Sequence, residues 1–437
     1  MVQAHLPNVP RYRQKVNFVP IALGRPVWVD DPHFNLSYHL RRTALPLPGG
    51  DEELRKLVAR VMSQQLDRDK PLWEMWLIEG LSEGRWGLIT KMHHCMVDGV
   101  SGAELLAVIL DSEPDPELPP SDDWRPERQP LGIELAVHAL ARRAISPYEQ
   151  LRAVRSAVRS PGRAAKTAGA TARGLWSMTG VVAPPPRSSL NGPIGVNRRW
   201  AWARSQLSDV KRVRGAFGGT VNDVVLSAVA GGFGALLAGR GESTQRNVRT
   251  LVPVSVRSPG EHGEYNNRVS AIFANLPVGI EHPVERLAAM RAQMEYLKHS
   301  GEAVAGDALV GLSGFAPAML LALGLRAATR MPQRNVNTVT TNVPGPQHPL
   351  YAGGRKMLEC FPYVPLAGHV RTGVAIFSYD GALTFGVTGD YDETPDIDVL
   401  CDGIEQTMCE LVVAAERAGR AEQARAPHPV GSPDGSA

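Results

Sequence analysis

Along the first hundred residues short apolar runs alternate with turn formers, and WVDDPHFNLSYHL, residues 28 to 40, reads as extended structure. It leads towards a helix predicted over Asp51 to Met62. The run RWGLITKMHH then predicts a buried strand. Ser101 and Glu104 form a capping box ahead of Leu105, Leu106, Val108, Ile109 and Leu110, so a helix is expected to open at Ser101. The heptapeptide HHCMVDG, residues 93 to 99, therefore falls in a strand-to-helix connection.

Beyond it the pattern changes. Residues 112 to 130 are rich in Pro and Asp and read as a surface linker. Ser146, Pro147 and Glu149 supply an N-cap, a first-turn proline and a capping partner. They place Leu151, Val154 and Val158 on one helical face beside Arg152, Arg155 and Arg159. Such a basic amphipathic helix lies either on the protein's own core or on an anionic membrane surface. Pro184 to Pro186 close the segment. An N-terminal lobe over residues 1–187, a C-terminal lobe over 188–419 and a disordered tail over 420–437 follow. In the second lobe a small-residue helix is expected from about Asn222. Strands are expected at Val248 to Val256, Ala271 to Val278, Thr338 to Asn342, Gly373 to Tyr379 and Leu383 to Gly389. Residues 308 to 325 carry no charge and approach bilayer-spanning length, but Pro317, Gly311, Gly314 and Gly324 suit a buried or interfacial helix pair better.

Composition supports two lobes. A chain of 437 residues exceeds one ordinary core, and 43% hydrophobic with 21% charged residues is a soluble, globular balance. A net charge of +3, with no block of Lys and Arg, argues against nucleic acid as a partner. Cys95, Cys360, Cys401 and Cys409 form no CxxC pair, and no charged-then-apolar leader opens the sequence. A reducing, cytoplasmic compartment is the expectation.

Chemistry concentrates in HHCMVDG. Adjacent histidines on a strand point to opposite faces, so one of His93 and His94 would face a cleft while the other packs elsewhere. A neutral imidazole can take a proton from an attacking hydroxyl near neutral pH without a covalent enzyme intermediate. Asp98 either orients a histidine, as in a triad, or holds the loop through an arginine. No GxSxG or HExxH motif occurs, and opposed histidines suit a metal poorly; no metal or other cofactor is expected. The spacing from His93 to Asp98 also fits the HxxxxD of glycerolipid acyltransferases, without the EGTR-like block that accompanies it there.

HHCMVDG resembles the HHxxxDG motif of the CoA-dependent acyltransferase superfamily, which includes chloramphenicol acetyltransferase and peptide-synthetase condensation domains. DRDKPLWEMWLIEGL (67 to 81), NDVVLSAV (222 to 229), PVSVR (253 to 257) and TNVPGP (341 to 346) resemble, more narrowly, the bacterial wax ester synthase/diacylglycerol acyltransferase family. That resemblance runs from about residue 10 to residue 415. It implies a two-lobed α/β fold with mixed sheets and an active-site tunnel at the lobe interface. Acyl-CoA would enter from one side and diacylglycerol or a long-chain alcohol from the other, at a peripheral membrane or lipid-droplet surface. It also implies that His94 is the catalytic base, that Gly99 leaves room beside the thioester, and that Asp98 points away from substrate and pairs with Arg257. Asn222 and Asn342 match the family's other polar blocks and are assigned to support of the pocket or oxyanion. Family members usually begin with a further helix and strand before the segment resembling NVPRYRQKV; the expectation is that its lack exposes a sheet edge.

Overall fold

The computed structural model describes residues 2–22, 24–96, 110–117, 123–138, 141, 188–245, 248–255, 269–299 and 336–425. In the N-terminal half, β1 (Gln14–Asn17) pairs antiparallel with β2 (Val27–Asp30). A separate three-stranded sheet has the order β3 (Leu40–Ala44), β4 (Trp73–Glu79), β5 (Gly87–Met92). Helix α1 (Asp51–Ser63) covers it, beginning where the Gly50 N–H donates to Glu53 Oε2 at 2.9 Å. Leu57, Val58 and Val61 turn inward at helical spacing and meet Ile78 and Ile89.

The C-terminal half is a mixed six-stranded sheet in the order β6 (Arg198–Gln206), β13 (Ala382–Asp390), β12 (Thr372–Tyr379), β9 (Thr338–Pro344), β7 (Val248–Ser255), β8 (Val269–Leu276), with a separate short antiparallel pair, β10 (Tyr351–Ala352) and β11 (Arg355–Lys356). Strands β12 and β9, and β9 and β7, run parallel; the other pairs are antiparallel. Helices α2 (Leu207–Phe217), α3 (Val221–Gly239), α4 (Pro283–His299) and α5 (Ile397–Arg425) complete this half. Their inner faces and the sheet share one continuous apolar core that includes Phe233, Leu236, Met290, Phe385 and Leu411. Helix α3 is apolar and long enough to cross a bilayer, yet it is a core helix. A Cβ on its Gly232 would lie 2.7 Å from the Leu400 carbonyl oxygen, so glycine is what lets α3 and α5 approach so closely.

Strand β6 joins the halves by simple alternation. Trp200 and Trp202 face the N-terminal cluster with Leu57, Val61 and Ile89, whereas Ala201 and Ala203 face the C-terminal core. Arg55 lies 4.5 Å over the Trp202 ring and 2.7 Å from Asp398, adding polar contacts to the same seam.

Most expected elements are present, with shifted ends. The helix expected at Asp51 to Met62 and the helix near Asn222 form as α1 and α3. The second-lobe strands form within a few residues of their expected limits. The WVDDPHFNLSYHL stretch is more broken than expected, since β2 is followed by a short helix, Leu36–His39, capped by Asn35. Residues 420 to 425, expected as tail, continue α5. The helices expected at Ser101 and around Arg152 to Arg159, and the uncharged run 308 to 325, lie outside the described residues.

Candidate active site

A cavity of about 1800 Å³ runs along β5, with both halves of the chain contributing walls. One wall is β5 itself and the residues after it. The opposite wall is a strap without regular structure, in which Met357, Leu358, Cys360, Phe361 and Tyr363 line the space. The strap is pinned to the large sheet. Thr384 Oγ1 donates to the Cys360 carbonyl at 2.6 Å, and Trp200 Nε1 donates to the Pro362 carbonyl at 3.2 Å. At Gly386 a Cβ would sit 1.7 Å from that Pro362 oxygen, so a strap this close demands glycine in β13. Burial pushes the Cys360 thiol up to about 12, which makes it an inert wall residue.

The strand register orders the lining of the cavity along β5. Gly87 pairs with Ile78 next to the Gly49–Gly50 turn, where Asp51, Ser82, Arg204 and Glu359 stand at the rim and Arg204 Nε donates to Glu359 at 2.7 Å. Met92 pairs with Trp73 at the other end, where Tyr12 donates to the Met92 sulfur at 3.0 Å; Val16, Phe18 and Trp28 also line the cavity. The two ends are separated by the length of β5, about 17 Å at the usual rise per residue.

Both histidines stand beyond Met92, where β5 stops. The His93 N–H still donates to Leu72 O at 3.0 Å, and then the chain turns: Met96 N–H donates to His93 O at 2.9 Å, and His94–Met96 is a single 3-10 turn. The expected opposition of two strand residues therefore does not arise. His93 does not pack behind the strand; His93, His94 and Cys95 are all exposed and all line the cavity.

Their ring chemistry differs. The Cys95 backbone N–H reaches His93 Nδ1 at 3.2 Å, and since a backbone N–H can only donate, that nitrogen accepts. Neutral His93 then carries its proton on Nε2 and presents a donor. Partial burial, the Arg68 guanidinium and the His94 ring all lower its pKa, so it stays neutral to lower pH than a free imidazole. Behind the pair, Lys91 is buried, with Nζ donating to the carbonyls of Val61 at 2.8 Å and Gln64 at 2.5 Å, at the C-terminal end of α1. That end of a helix attracts a cation. Burial depresses the Lys91 pKa, with Glu74 opposing the shift.

Of the other residues read from sequence, Asp98, Gly99 and Arg257 lie outside the described residues. Asn222 and Asn342 are described and are not among the residues lining the cavity. Asn222 sits in the first turn of α3, where its neighbour Asp223 makes the cap: Thr220 N–H donates to Asp223 Oδ2 at 2.7 Å. Among the described residues no cluster of three or more His, Cys, Asp or Glu side chains is placed to hold a metal ion. Sequence reading missed the strap and Lys91. A proline-punctuated apolar run, MLECFPYVPL, was the only signal for the strap; a lone lysine in an apolar strand was the signal for the other.

A sheet from each half, a tunnel between them and a histidine pair within it define a two-lobed acyltransferase of the chloramphenicol acetyltransferase type. The chain belongs to the wax ester synthase/diacylglycerol acyltransferase family: residues 1–225 match the wax ester synthase/diacylglycerol acyltransferase catalytic domain and residues 265–412 the family's C-terminal domain. It is thereby an enzyme that transfers acyl groups between an acyl-CoA and an acceptor. It is similar to a probable diacylglycerol O-acyltransferase of Mycobacterium tuberculosis, 38% identical over 93% of this chain and 86% of that one. A putative diacylglycerol O-acyltransferase of the same species is 33% identical over 89% of this chain and 78% of its own length. Among solved structures, the wax ester synthase/diacylglycerol acyltransferase of Marinobacter aquaeolei VT8 superposes with a TM-score of 0.63 at 28% identity, covering 93% of this chain and 86% of that one. The first condensation domain of the calcium-dependent antibiotic synthetase shares the fold, with a TM-score of 0.54 at 16% identity over 94% and 86% of the two chains.

Proposed function

We propose that the protein moves a long-chain acyl group from acyl-CoA to diacylglycerol or a long-chain alcohol, giving triacylglycerol or wax ester, with His94 as general base. The observation that carries the assignment of the base is the hydrogen bond from the Cys95 N–H to His93 Nδ1. It occupies the lone pair His93 would need, so His93 can donate a hydrogen bond but not collect a proton without losing that contact. His94 is left to do so. In the reaction His94 removes the hydroxyl proton as the alcohol oxygen attacks the thioester carbonyl. The C–S bond breaks as the tetrahedral intermediate collapses, and the same proton passes to the departing thiolate of CoA.

The size and lining of the cavity support a long acyl chain, since burying each methylene contributes about 0.8 kcal/mol. Asp98 and Arg257 are proposed as a structural ion pair, with Gly99 leaving room at the thioester. The enzyme is proposed to work in the cytoplasm, peripherally attached to a membrane or lipid droplet, where its acceptor resides. The test is thiol release from acyl-CoA across a panel of diacylglycerol, fatty alcohols and small polar alcohols, for the wild type and His94→Ala. Loss of alcohol-dependent release in the variant, with lipid alcohols preferred by the wild type, is expected. Lipid binding without thiol release would instead indicate a scaffold protein, and preference for a small polar alcohol would reassign the acceptor.

A further inference from the structure

At Phe18 the cavity wall meets an unusual surface. Residues 18 to 21 leave β1 with Phe18 and Ile21 62% and 82% exposed, and residues 131 to 137 present Leu131, Ile133 and Val137 at 57%, 72% and 59%. These are two parts of one patch: a Cβ on Gly132 would lie 3.2 Å from Pro20 Cγ. Ile133 and Val137 are four residues apart in a helix spanning 132 to 138, so they share a face, while Leu135 between them is buried. Ile21 holds a positive φ of 55°, a conformation that a β-branched side chain disfavours, and it points its side chain outward all the same. Single exposed apolar residues need no explanation, but a contiguous patch of bulky ones marks a contact with something apolar.

Two features say what that contact is. Phe18 belongs to the patch and to the cavity wall at once, so the patch adjoins the cavity where Phe18 lines it. The sequence then runs from the helix at 132–138 into Arg142, Arg143, Arg152, Arg155 and Arg159, with Glu149 the only acid between Ala139 and Arg159. An apolar patch whose neighbouring sequence is rich in arginine has the chemistry that suits a phospholipid surface, apolar side chains for acyl chains and guanidinium groups for phosphates. We infer that the surface formed by Phe18, Ile21, Leu131, Ile133 and Val137 inserts into a lipid monolayer, and that the water-insoluble acceptor enters the cavity past Phe18 without crossing water. The inference rests on the reading of the acceptor as a lipid alcohol, and it adds the face and the mouth through which that alcohol arrives.

The experiment uses the full-length chain and the triple variant Ile21→Asp, Ile133→Asp, Val137→Asp, none of which lines the cavity. Flotation is measured with zwitterionic phosphatidylcholine vesicles containing dioleoylglycerol, at high salt to suppress attraction through the arginines. The wild type should float. The variant's bound fraction should fall at least tenfold and its apparent KM for vesicle-borne diacylglycerol should rise as much, with thiol release from a short acyl-CoA and a short soluble alcohol unchanged. Equal flotation of the two proteins would overturn the inference. So would a wild-type dimer in light scattering that the variant turns into a monomer, which would make the patch a contact between copies, or a parallel loss of turnover on soluble substrates. Flotation is read without turnover, so an inactive protein that floats in a patch-dependent way would refute the proposed reaction and leave the lipid-facing surface standing.

Discussion

The two sheets bury different kinds of residue. Around the six-stranded sheet the interior is a continuous apolar mass in which most buried polar groups are threonine hydroxyls, such as Thr250, Thr338, Thr340 and Thr388, and the buried charged side chains, Asp223, Arg286 and Asp390, are few beside it. Around the three-stranded sheet the apolar clusters are small, and the buried set includes Arg13, Asp31, His39, Glu74 and Lys91. Ionisable groups are costly to bury and need partners, and each of those partners fixes a direction in space. The C-terminal half supplies stability, and the N-terminal half gives up some of it for the placement of a few side chains around a cavity.

If that division holds, substitutions in the two halves should separate activity from stability. The largest effect on rate is expected from His94→Ala, which should lower alcohol-dependent thiol release by on the order of 100-fold to 10,000-fold. Its thermal unfolding should match the wild type, because the side chain is exposed; calorimetry on the same preparation checks this. The largest effect on stability should come from the other half. Phe385, fully buried in β13, should cost about 3–5 kcal/mol when replaced by Ala, read from denaturant midpoints. A comparable loss of stability from His94→Ala would erase the contrast.

Lys91→Met sits between these extremes. It strands the Gln64 carbonyl and takes one of two donors from the Val61 carbonyl, which keeps the Gln64 N–H, and should cost about 1–3 kcal/mol. Because Lys91 ties the end of β5 to the last turn of α1 immediately before the histidines, kcat should fall with little change in KM. Lys91→Arg should restore more of kcat than of stability. Equal recovery of both would reduce Lys91 to a packing residue.

The smallest effect is one of pH. His39 is buried against Trp73, its Nδ1 lies 2.7 Å from the Trp73 carbonyl, and burial lowers its pKa. Its folded pKa lies below the unfolded value of about 6.5, so the unfolded chain takes up the proton first as pH falls. Stability should therefore be flat from this group above about pH 6.5 and decline below it, by at most about 1.4 kcal/mol per pH unit. His39→Phe should flatten that slope in denaturant titrations; an unchanged slope would assign it to other groups.

Legibility from sequence followed how local each cause was. HHCMVDG, the capped start of α3 and the apolar strands of the second half are local patterns. Their positions are readable, although the Asp223 cap at the start of α3 is not singled out in NDVVLSAV. The alternation in Trp200, Ala201, Trp202, Ala203 was equally local and was passed over, because an Arg-rich flank hid a strand of period two. What no local pattern carried was the cavity. Its strap is placed by Thr384, Trp200 and Gly386, up to 162 residues away along the chain. The arrangement of the histidines was misjudged for a related reason: strand alternation ends where the Leu72 carbonyl makes its last ladder bond, and that end point is set by the neighbouring strand.

Strand β6 has a consequence for anyone who would recombine this enzyme with a relative. Its tryptophans finish the N-terminal core and its alanines finish the C-terminal one, so the hydrophobic surface of each half is tailored to alternate residues of a single nine-residue strand. A chimera joined ahead of Arg198 keeps β6 with its own sheet but offers foreign tryptophans to α1, and one joined after Gln206 does the reverse. Functional crossovers between family members should therefore be rare at both points, unless Leu57, Val58, Val61 and the Trp200–Trp202 pair are inherited together from one parent.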